Sequence, residues 1–302
     1  MQQGTRFTVS VVSPVFNNAG TIKQLVQRIV GTRDSGFPEA ALEIILVDDG
    51  SSDGSLGEMR DVLSSSAPST SLKVLRLSRN FGQVSAIVAG LSICSGDAAI
   101  VISADLQDPP ELMSKMVEGW RNGAEVVIAA REAREDGAVS SLFSRMSYAV
   151  ARRPYREMPR GGFDYFLLSR RATAQFVAKP GRKRFLQGEI FELGFQRLIL
   201  NYVREKRKVG KSQWRFWKRF EYFVDLVLAS TSSPIRAATF VGFLGVIASI
   251  VYAVVVTVAR ILGAVPIDGW TPLILITLFF GGITVFLLGL IGEYIWRIYD
   301  EV

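Results

Sequence analysis

The stretch Ile100-Val101-Ile102-Ser103-Ala104-Asp105-Leu106-Gln107-Asp108-Pro109-Pro110 changes within a few residues from an apolar strand to a group of oxygen-bearing side chains. Carboxylate and amide oxygens suit hard divalent cations, and such an ion usually keeps open positions for substrate phosphates. The stretch therefore predicts a site for a metal-bound diphosphate at the end of a strand. A strand followed by an ordinary Asp-Pro turn is the alternative, because both residues are common in turns.

Strand and helix patterns alternate on both sides of this stretch. The sequence predicts strands over 8–12, 42–47, 72–77, 98–102 and 125–129, and helices over 19–30, 56–63, 83–92 and 110–119. This alternation favours a mostly parallel, Rossmann-like α/β sheet with helices on both faces, in which ligands bind at the carboxyl ends of the strands. From about residue 131 to 201 the pattern is less regular, and only a helix over 171–177 is predicted there.

A second acidic loop, from Val47 to Ser55, follows a buried strand and leads into a helix. Its carboxylates can accept hydrogen bonds from a nucleobase imide or from ribose hydroxyls. We favour such a ligand role for Asp48. For Asp53 and Ser55 we favour the alternative, an Asx-rich turn in which Ser55 caps the next helix.

The last quarter of the chain contains two uncharged stretches, at about 237–259 and 270–292. Each is long enough to cross a bilayer core of roughly 30 Å as a helix, so the sequence predicts a transmembrane hairpin within 237–302. Residues 201–236 are basic and aromatic, and 214–228 have the pattern of a helix in the membrane interface, with core packing as the alternative. Residues 1–200 then form the catalytic domain. Positive residues before the first span place this domain and the short C-terminal tail in the cytoplasm; they are Lys206, Arg207, Lys208, Lys211, Arg215, Lys218, Arg219 and Arg236.

Composition narrows the chemistry that the chain can perform. Its 302 residues carry a net charge of +7, one cysteine and no histidine. The absence of histidine excludes a histidine general base and histidine-ligated metals. A basic segment beside a membrane span is explained by anionic lipid headgroups, so no nucleic-acid partner is inferred.

With both acidic loops in view, the chain resembles family 2 glycosyltransferases of the GT-A fold, and among them the membrane-anchored polyprenyl-phosphate glycosyltransferases. That group includes dolichol-phosphate mannose synthases and bacterial enzymes that glucosylate undecaprenyl phosphate for O-antigen modification of lipopolysaccharide in the cell envelope. The landmarks that carry the resemblance are Ser13-Pro14-Val15-Phe16-Asn17-Asn18, Val47-Asp48-Asp49-Gly50-Ser51, Ser78-Arg79-Asn80-Phe81-Gly82, Ala104-Asp105-Leu106-Gln107-Asp108-Pro109-Pro110, Arg184-Phe185-Leu186-Gln187-Gly188 and Gly210-Lys211-Ser212-Gln213-Trp214.

The resemblance implies roles for individual residues. Asp105 and Gln107 are expected to bind Mg²⁺ or Mn²⁺ with the diphosphate, and Asp105 and Asp164 to be catalytic. Relatives commonly have Asp where this chain has Ser103, which weakens the expected metal affinity or alters the nucleotide pose. The expected nucleotide-sugar site comprises Pro14, Val15, Asn17, Asp48, Asp49, Ser103, Ala104 and Asp105. The expected acceptor-phosphate site comprises Arg131, Arg145, Arg184, Arg207 and Ser212, since arginines can hold a phosphate through two hydrogen bonds.

The activity that the resemblance implies is inverting transfer of a hexose from a nucleoside diphosphate sugar, with UDP favoured over GDP, to undecaprenyl phosphate. The expected location is the cytoplasmic face of the bacterial inner membrane. A homo-oligomer is expected, a tetramer by resemblance, together with a separate flippase and a downstream transferase. Two alternatives stay open: a processive polysaccharide synthase, although the Gln-x-x-Arg-Trp motif is not satisfied around Gln213, and an inactive membrane scaffold of the same fold.

Overall fold

The computed structural model describes residues 7–65, 70–131, 158–159, 162–179, 181, 184–204, 240, 244, 247, 251, 254, 255, 258, 261, 262 and 270–301. The chain divides into two compact units, Met1–Arg219 and Phe220–Val302. The expectations for Arg145, Arg207 and Ser212 lie outside the described residues. So do those for 205–236 and for most of the first predicted span.

The first unit contains alternating strands and helices, most of which the sequence predicted. In chain order they are β1 (Thr8–Val15), α1 (Ile22–Gly36), β2 (Ala41–Asp48), α2 (Ser55–Ser64), β3 (Thr70–Arg76), α3 (Gln83–Ser92), β4 (Ala98–Val101), a 3₁₀ turn (Pro110–Leu112), α4 (Met113–Arg121), β5 (Val126–Arg131), β6 (Tyr165–Ser169), α5 (Arg170–Ala178), α6 (Leu186–Glu192) and β7 (Arg197–Tyr202).

The strands form one sheet in the order β3-β2-β1-β4-β6-β5-β7. All neighbouring pairs are parallel except those of β6, which runs antiparallel to both β4 and β5. The prediction of a mostly parallel sheet is confirmed, but β6, β7 and α6 were not predicted. The sequence of β6, Tyr-Phe-Leu-Leu-Ser, is buried throughout, and such a short apolar run has no period that separates strand from helix.

The antiparallel direction of β6 determines which residues meet at one edge of the sheet. The start of β6 reaches the same sheet edge as the carboxyl ends of the six other strands. Asp164, which directly precedes β6, is thereby brought to the edge where Asp48, Asp105 and Arg131 end or follow their strands. We call this the carboxyl edge of the sheet.

Apolar side chains alternate along the strands and form a core on each face of the sheet. Val11, Ile44 and Ile100 pack with α1 and α4 on one face, and the neighbouring residues Val12 and Ile45 belong to the core of the other face, with α3, α5 and α6. Burial of each such side chain contributes about 1.5 to 3 kcal/mol. At Gly90 a Cβ atom would lie 2.3 Å from Cγ1 of Val12, so only glycine lets α3 pack this closely on β1.

The described part of the second unit includes the long helix α7 (Trp270–Glu301), and residues 240, 244, 247, 251, 254, 255, 258 and 261 are also helical. Among the residues that the structure describes, no helix combines the length and the apolar character needed to cross a membrane. The transmembrane hairpin stays a prediction.

Candidate active site

Asp48 is the last residue of β2 and its carboxylate is fully buried. Its Oδ1 accepts a hydrogen bond from the amide of Ser51 at 2.9 Å. Its Oδ2 is buried without a hydrogen-bond partner, and Nε of Arg76 lies 3.7 Å from it. Buried polar atoms are nearly always paired, so this oxygen marks a position where a ligand can donate a hydrogen bond.

The loop after β1 is tied to the loop after β2. Asn17 has a left-handed backbone (φ 53°), its amide donates to Oγ of Ser51 at 3.1 Å, and its Oδ1 accepts from the amide of Ser52 at 2.9 Å. The carbonyl of Val15 accepts from the amide of Asp49 at 2.9 Å, and Pro14 lies opposite Val47 in the sheet register. The structure thus brings the predicted Pro14, Val15 and Asn17 together with Asp48 on one rim.

Asp49 has a different position from its neighbour. Its Oδ1 and Oδ2 accept hydrogen bonds from the amides of Phe81 at 2.7 Å and Gly82 at 2.9 Å. Burial raises the pKa of Asp49, and these two amides oppose that shift. The side chain therefore fastens the loop after β3 to the rim, and its predicted contact with the nucleotide stays a prediction.

The loop after β4 holds the predicted metal ligands. Oδ1 of Asp105 accepts from the amide of Gln107 at 3.2 Å, and the carbonyl of Ala104 accepts from the hydroxyl of Thr21 at 2.7 Å. Leu106 adopts a left-handed backbone (φ 58°), which costs about 1 to 2 kcal/mol for a residue with a Cβ atom. Its side chain is buried, and this burial offsets the backbone strain. Ser103 lies at the start of this loop and is partly buried.

Asp108 anchors a group of residues that sequence reasoning missed. Its side chain is fully buried, its Oδ1 accepts a hydrogen bond from the hydroxyl of Tyr202, and its Oδ2 has no hydrogen-bond partner. Nε of Arg204 lies 3.5 Å from Oδ1 of Asp108, and Nη2 of Arg204 lies 3.7 Å from Oδ2 of Asp105. Burial raises the pKa of Asp108, against the opposing effects of the Tyr202 hydroxyl and of Arg131 and Arg204. Burial and the nearby Asp108 also raise the pKa of Tyr202.

Arg131 and Asp164 form an ion pair at the same edge. Nη2 of Arg131 lies 2.7 Å from Oδ2 of Asp164, and Nε of Arg131 donates to the hydroxyl oxygen of Tyr202 at 3.4 Å. The side chains are 22% and 31% exposed, so both remain accessible to a ligand. Burial lowers the pKa of Arg131, but the carboxylates of Asp164 and Asp108 reverse this, and the net effect is a raised pKa.

Six side chains at this edge therefore form one connected group, which we call the charged chain. In order of contact they are Asp164, Arg131, Tyr202, Asp108, Arg204 and Asp105. The sequence predicted that Asp105, Arg131 and Asp164 belong to the site, but it did not predict the contacts that link them. It missed Tyr202 and Arg204 because strand β7 was not predicted. A strand prediction over 197–202 would have revealed both, because Tyr202 ends β7 opposite Arg131.

Arg184, one of the predicted phosphate ligands, contacts residues of α5 and α6. Its Nε donates to Oε2 of Glu189 at 2.7 Å, its Nη2 donates to the carbonyl of Phe176 at 2.6 Å, and its guanidinium lies 4.2 Å from the centre of the Phe176 ring. The side chain is only 6% exposed. These contacts join α5 to α6, and a role of Arg184 toward the acceptor stays a prediction.

The donor atoms near Asp105 fit a cation that is held mainly by a ligand. Among the described residues no three acidic, cysteine or histidine side chains are close enough to form a metal cage. Mg²⁺ is commonly bound through one or two carboxylates together with substrate phosphates and water. The Asp105 carboxylate, 10% exposed, and the partly buried Gln107 agree with that arrangement.

Comparison with solved structures defines the class of fold. A mannosyltransferase from Pyrobaculum calidifontis, solved in complex with GDP-Man and Mn²⁺, superposes with a TM-score of 0.53 at 16% identity, covering 75% of this chain and 64% of that one. Glucosyl-3-phosphoglycerate synthase from Mycobacterium tuberculosis, solved with Mn²⁺, UDP-Glc and phosphoglyceric acid, gives a TM-score of 0.54 at 20% identity, covering 74% and 79%. The fold is that of GT-A glycosyltransferases.

Comparison with sequences identifies the family. The profile of glycosyl transferase family 2 matches residues 10–176. An uncharacterized glycosyltransferase of Synechocystis is 32% identical, over 97% of this chain and 92% of that protein. The SfII prophage-derived bactoprenol glucosyl transferase of Shigella flexneri is 31% identical, over 97% and 94%. The chain belongs to glycosyl transferase family 2 and is an enzyme that transfers a sugar.

Proposed function

We propose that this enzyme transfers a hexose from a nucleoside diphosphate sugar to undecaprenyl phosphate, with UDP-sugars as the favoured donors. Relatives named bactoprenol glucosyl transferases match the chain over almost its whole length, which supports a polyprenyl phosphate acceptor. The observation that carries the proposal is the ion pair of Arg131 and Asp164, 2.7 Å apart, in the same charged chain as Asp105. The residues that we assign to the donor and the cation that we assign to the acceptor then lie at one edge of the sheet.

The donor nucleotide is assigned to the rim formed by the loops after β1 and β2. The unpaired Oδ2 of Asp48 is available to a base imide, beside Pro14, Val15 and Asn17. The diphosphate then extends toward Asp105 and Gln107, with Ser103 and Ala104 beside it. A divalent cation, Mg²⁺ or Mn²⁺, is assigned to Asp105 and Gln107, where it supplies positive charge that stabilises the departing nucleoside diphosphate.

The acceptor phosphate is assigned to Arg131, whose guanidinium is partly exposed and already faces a carboxylate. A phosphate monoester has a second pKa of about 6, so in the cytosol it is largely a dianion and can attack without a strong general base. Asp164 then serves to orient Arg131 and the attacking group. Arg145, Arg207 and Ser212 are also proposed to bind the acceptor phosphate, and for these three residues the support comes from the sequence alone.

The reaction that follows is a direct displacement. A phosphate oxygen of the acceptor forms a bond to the anomeric carbon while the bond from that carbon to the diphosphate breaks. The electron pair leaves with the nucleoside diphosphate, and the configuration at the anomeric carbon inverts. Arg131 holds the attacking phosphate, and the Asp105 loop holds the leaving group.

In this proposed function the enzyme lies at the inner membrane of a bacterium, with its catalytic unit in the cytoplasm. The support is in the sequence: residues 270–292 and 237–259 carry no charge, and basic residues precede them. An acceptor of polyprenyl type requires a site near the bilayer surface. Homo-oligomerisation, a flippase and a downstream transferase remain part of the proposal.

The test uses the full-length purified protein with undecaprenyl phosphate, Mn²⁺ or Mg²⁺, and a panel of radiolabelled UDP- and GDP-sugars. Extraction into organic solvent should recover a labelled lipid with one donor, and NMR of that lipid should show the inverted anomeric configuration. Long water-soluble polymer would instead support a polysaccharide synthase. Absence of labelled lipid with every donor would contradict the proposed function.

A further inference from the structure

Arg204 contacts both acidic residues of the loop after β4. Its Nη2 is 3.7 Å from Oδ2 of Asp105 and its Nε is 3.5 Å from Oδ1 of Asp108. Arg204 follows β7 by two residues, so the end of that strand positions its guanidinium beside the loop. One guanidinium thus faces two carboxylates, one of which is the assigned metal ligand.

The two carboxylates hold Arg204 in different ways. The Asp108 side chain is fully buried and is fixed by the Tyr202 hydroxyl, whereas the side chain of Asp105 is 10% exposed and that of Arg204 is 30% exposed. Nε of Arg204 is buried without a hydrogen-bond partner, and so is Oδ2 of Asp108. Asp108 therefore holds Arg204 from the buried side, although the hydrogen bonding between the two is incomplete. Asp105 contacts Arg204 from the more accessible side.

We propose that Arg204 is a positioning residue that neutralises Asp105 when no donor is bound and turns to the donor diphosphate when the metal arrives. This inference rests on the proposed function, because it takes Asp105 as the metal ligand. A cation beside Asp105 opposes binding of a metal ion alone, since like charges repel. The diphosphate, which is anionic, removes that opposition by binding Arg204 itself.

The consequence is a coupling between metal and nucleotide. The metal ion binds weakly to the protein alone and strongly together with the diphosphate, and Arg204 holds the Asp105 side chain in place until the donor arrives. Arginine suits this role better than lysine because its planar fork can contact two acidic groups at once. Asp108 and Tyr202 keep the guanidinium near the site throughout.

The experiment measures Mn²⁺ binding to the full-length protein by electron paramagnetic resonance without nucleotide, and UDP binding by calorimetry at saturating Mn²⁺. In Arg204→Gln, the affinity for Mn²⁺ alone should rise roughly fivefold to thirtyfold, within the usual range of coupling between sites. The affinity for UDP with Mn²⁺ should fall by a similar factor. Arg121→Gln, which removes a charge from the exposed end of α4, should leave both affinities at the wild-type values and so corrects for net charge.

Unchanged or weaker binding of Mn²⁺ alone to a folded Arg204→Gln protein would overturn the inference. If circular dichroism shows that this variant is unfolded, Arg204→Lys carries the test: it keeps the charge but not the fork, so UDP binding should weaken while Mn²⁺ binding stays low. Wild-type UDP affinity in Arg204→Lys would also overturn it. If the wild-type protein binds neither Mn²⁺ nor UDP, the proposed function itself is contradicted. That result differs from one in which the wild-type protein binds both and only the role of Arg204 is contradicted.

Discussion

Nη2 of Arg131 lies 2.7 Å from Oδ2 of Asp164, although the two residues are 33 positions apart in the chain. Arg131 ends β5 and Asp164 precedes β6, and the antiparallel pairing of these strands brings them together. The pair combines a cation suited to a phosphate with a carboxylate that fixes its direction.

Arg131 and Arg184 should respond differently to the same substitution. Arg131→Gln should raise the KM for polyprenyl phosphate by about tenfold or more, because a charge-assisted contact to phosphate is lost. Arg184→Gln should instead lower the free energy of unfolding by about 3 kcal/mol, because it leaves Glu189 without its buried partner. Steady-state kinetics and chemical denaturation of both variants provide the measurement. A raised acceptor KM in folded Arg184→Gln would support the predicted contact of Arg184 with the acceptor phosphate.

Asp164→Asn should lower kcat by about a hundredfold, because the neutral amide no longer orients Arg131 and the attacking phosphate. The acceptor KM should not increase, since the carboxylate repels a phosphate dianion. Asp61→Asn, at an exposed position of α2, is the matched control and should be fully active. A kcat within threefold of wild type, as a rough threshold, would show that Asp164 has only a structural role.

Asp105→Asn should abolish labelled lipid formation and weaken Mn²⁺ binding in the presence of UDP, because the metal loses its charged protein ligand. The UDP affinity without metal should change far less, since Asp48 and the rim are untouched. Calorimetry with and without Mn²⁺ distinguishes the two effects. Retained turnover would show that the metal assignment is wrong.

Gly50→Ala should destabilise the protein and weaken nucleotide binding. Gly50 has φ +72°, and a Cβ atom there would lie 2.7 Å from backbone atoms of Arg79 and Asn80. The left-handed backbone alone costs an alanine about 1 to 2 kcal/mol, and the clash separates the loops that Asp49 joins. Gly57→Ala in α2 meets no atom within 4 Å and should stabilise the protein by up to about 1 kcal/mol. Thermal melting of both variants tests the contrast.

The acid stability of the catalytic unit should depend on Glu43. This buried residue of β2 accepts hydrogen bonds from Lys73 at 2.6 Å and from the amide of Ser95 at 2.8 Å. Burial raises the pKa of Glu43, but these bonds and Ser10 outweigh it, so the pKa is lowered overall. The folded state then binds protons less readily than the unfolded state. The stability that Glu43 contributes is present above pH 4.5 and is lost as the pH falls through the lowered pKa.

Glu43→Gln should remove this part of the pH dependence. The variant should be less stable than wild type at pH 7, and the difference should shrink as the pH is lowered toward 3. Melting temperatures at several pH values supply the measurement. A difference that is constant with pH would mean that Glu43 acts through packing rather than charge.

Much of the fold could be predicted because its signals are local. The bounds of α3 were predicted to the residue, and β1, β2, β4 and β5 were predicted within three residues at each end. Each of these segments has a period or a β-branched run that its own residues define. The segment after β5 lacked such a period, and its buried strand β6 became a strand only through its neighbours on both sides.

The candidate site, like the fold, could be predicted only in part. That Asp48, Asp105 and Arg131 end or follow strands could be predicted, and the parallel sheet then places them at one edge. The different positions of Asp48 and Asp49 could not, because neighbouring side chains of similar chemistry differ only in which loop they face. The internal pairing of Arg184 was equally invisible, since Glu189 is a partner only once α6 has formed.

By itself the sequence determined the alternating α/β order, the acidic loops and the family of the enzyme, because these depend on residues close together in the chain. Only the tertiary structure decided that β6 is reversed, and with it the charged chain from Asp164 through Arg131, Tyr202 and Asp108 to Arg204 and Asp105. The physical reason is that these contacts join residues up to about a hundred positions apart. Their free energies depend on strand order and burial, which no local pattern encodes.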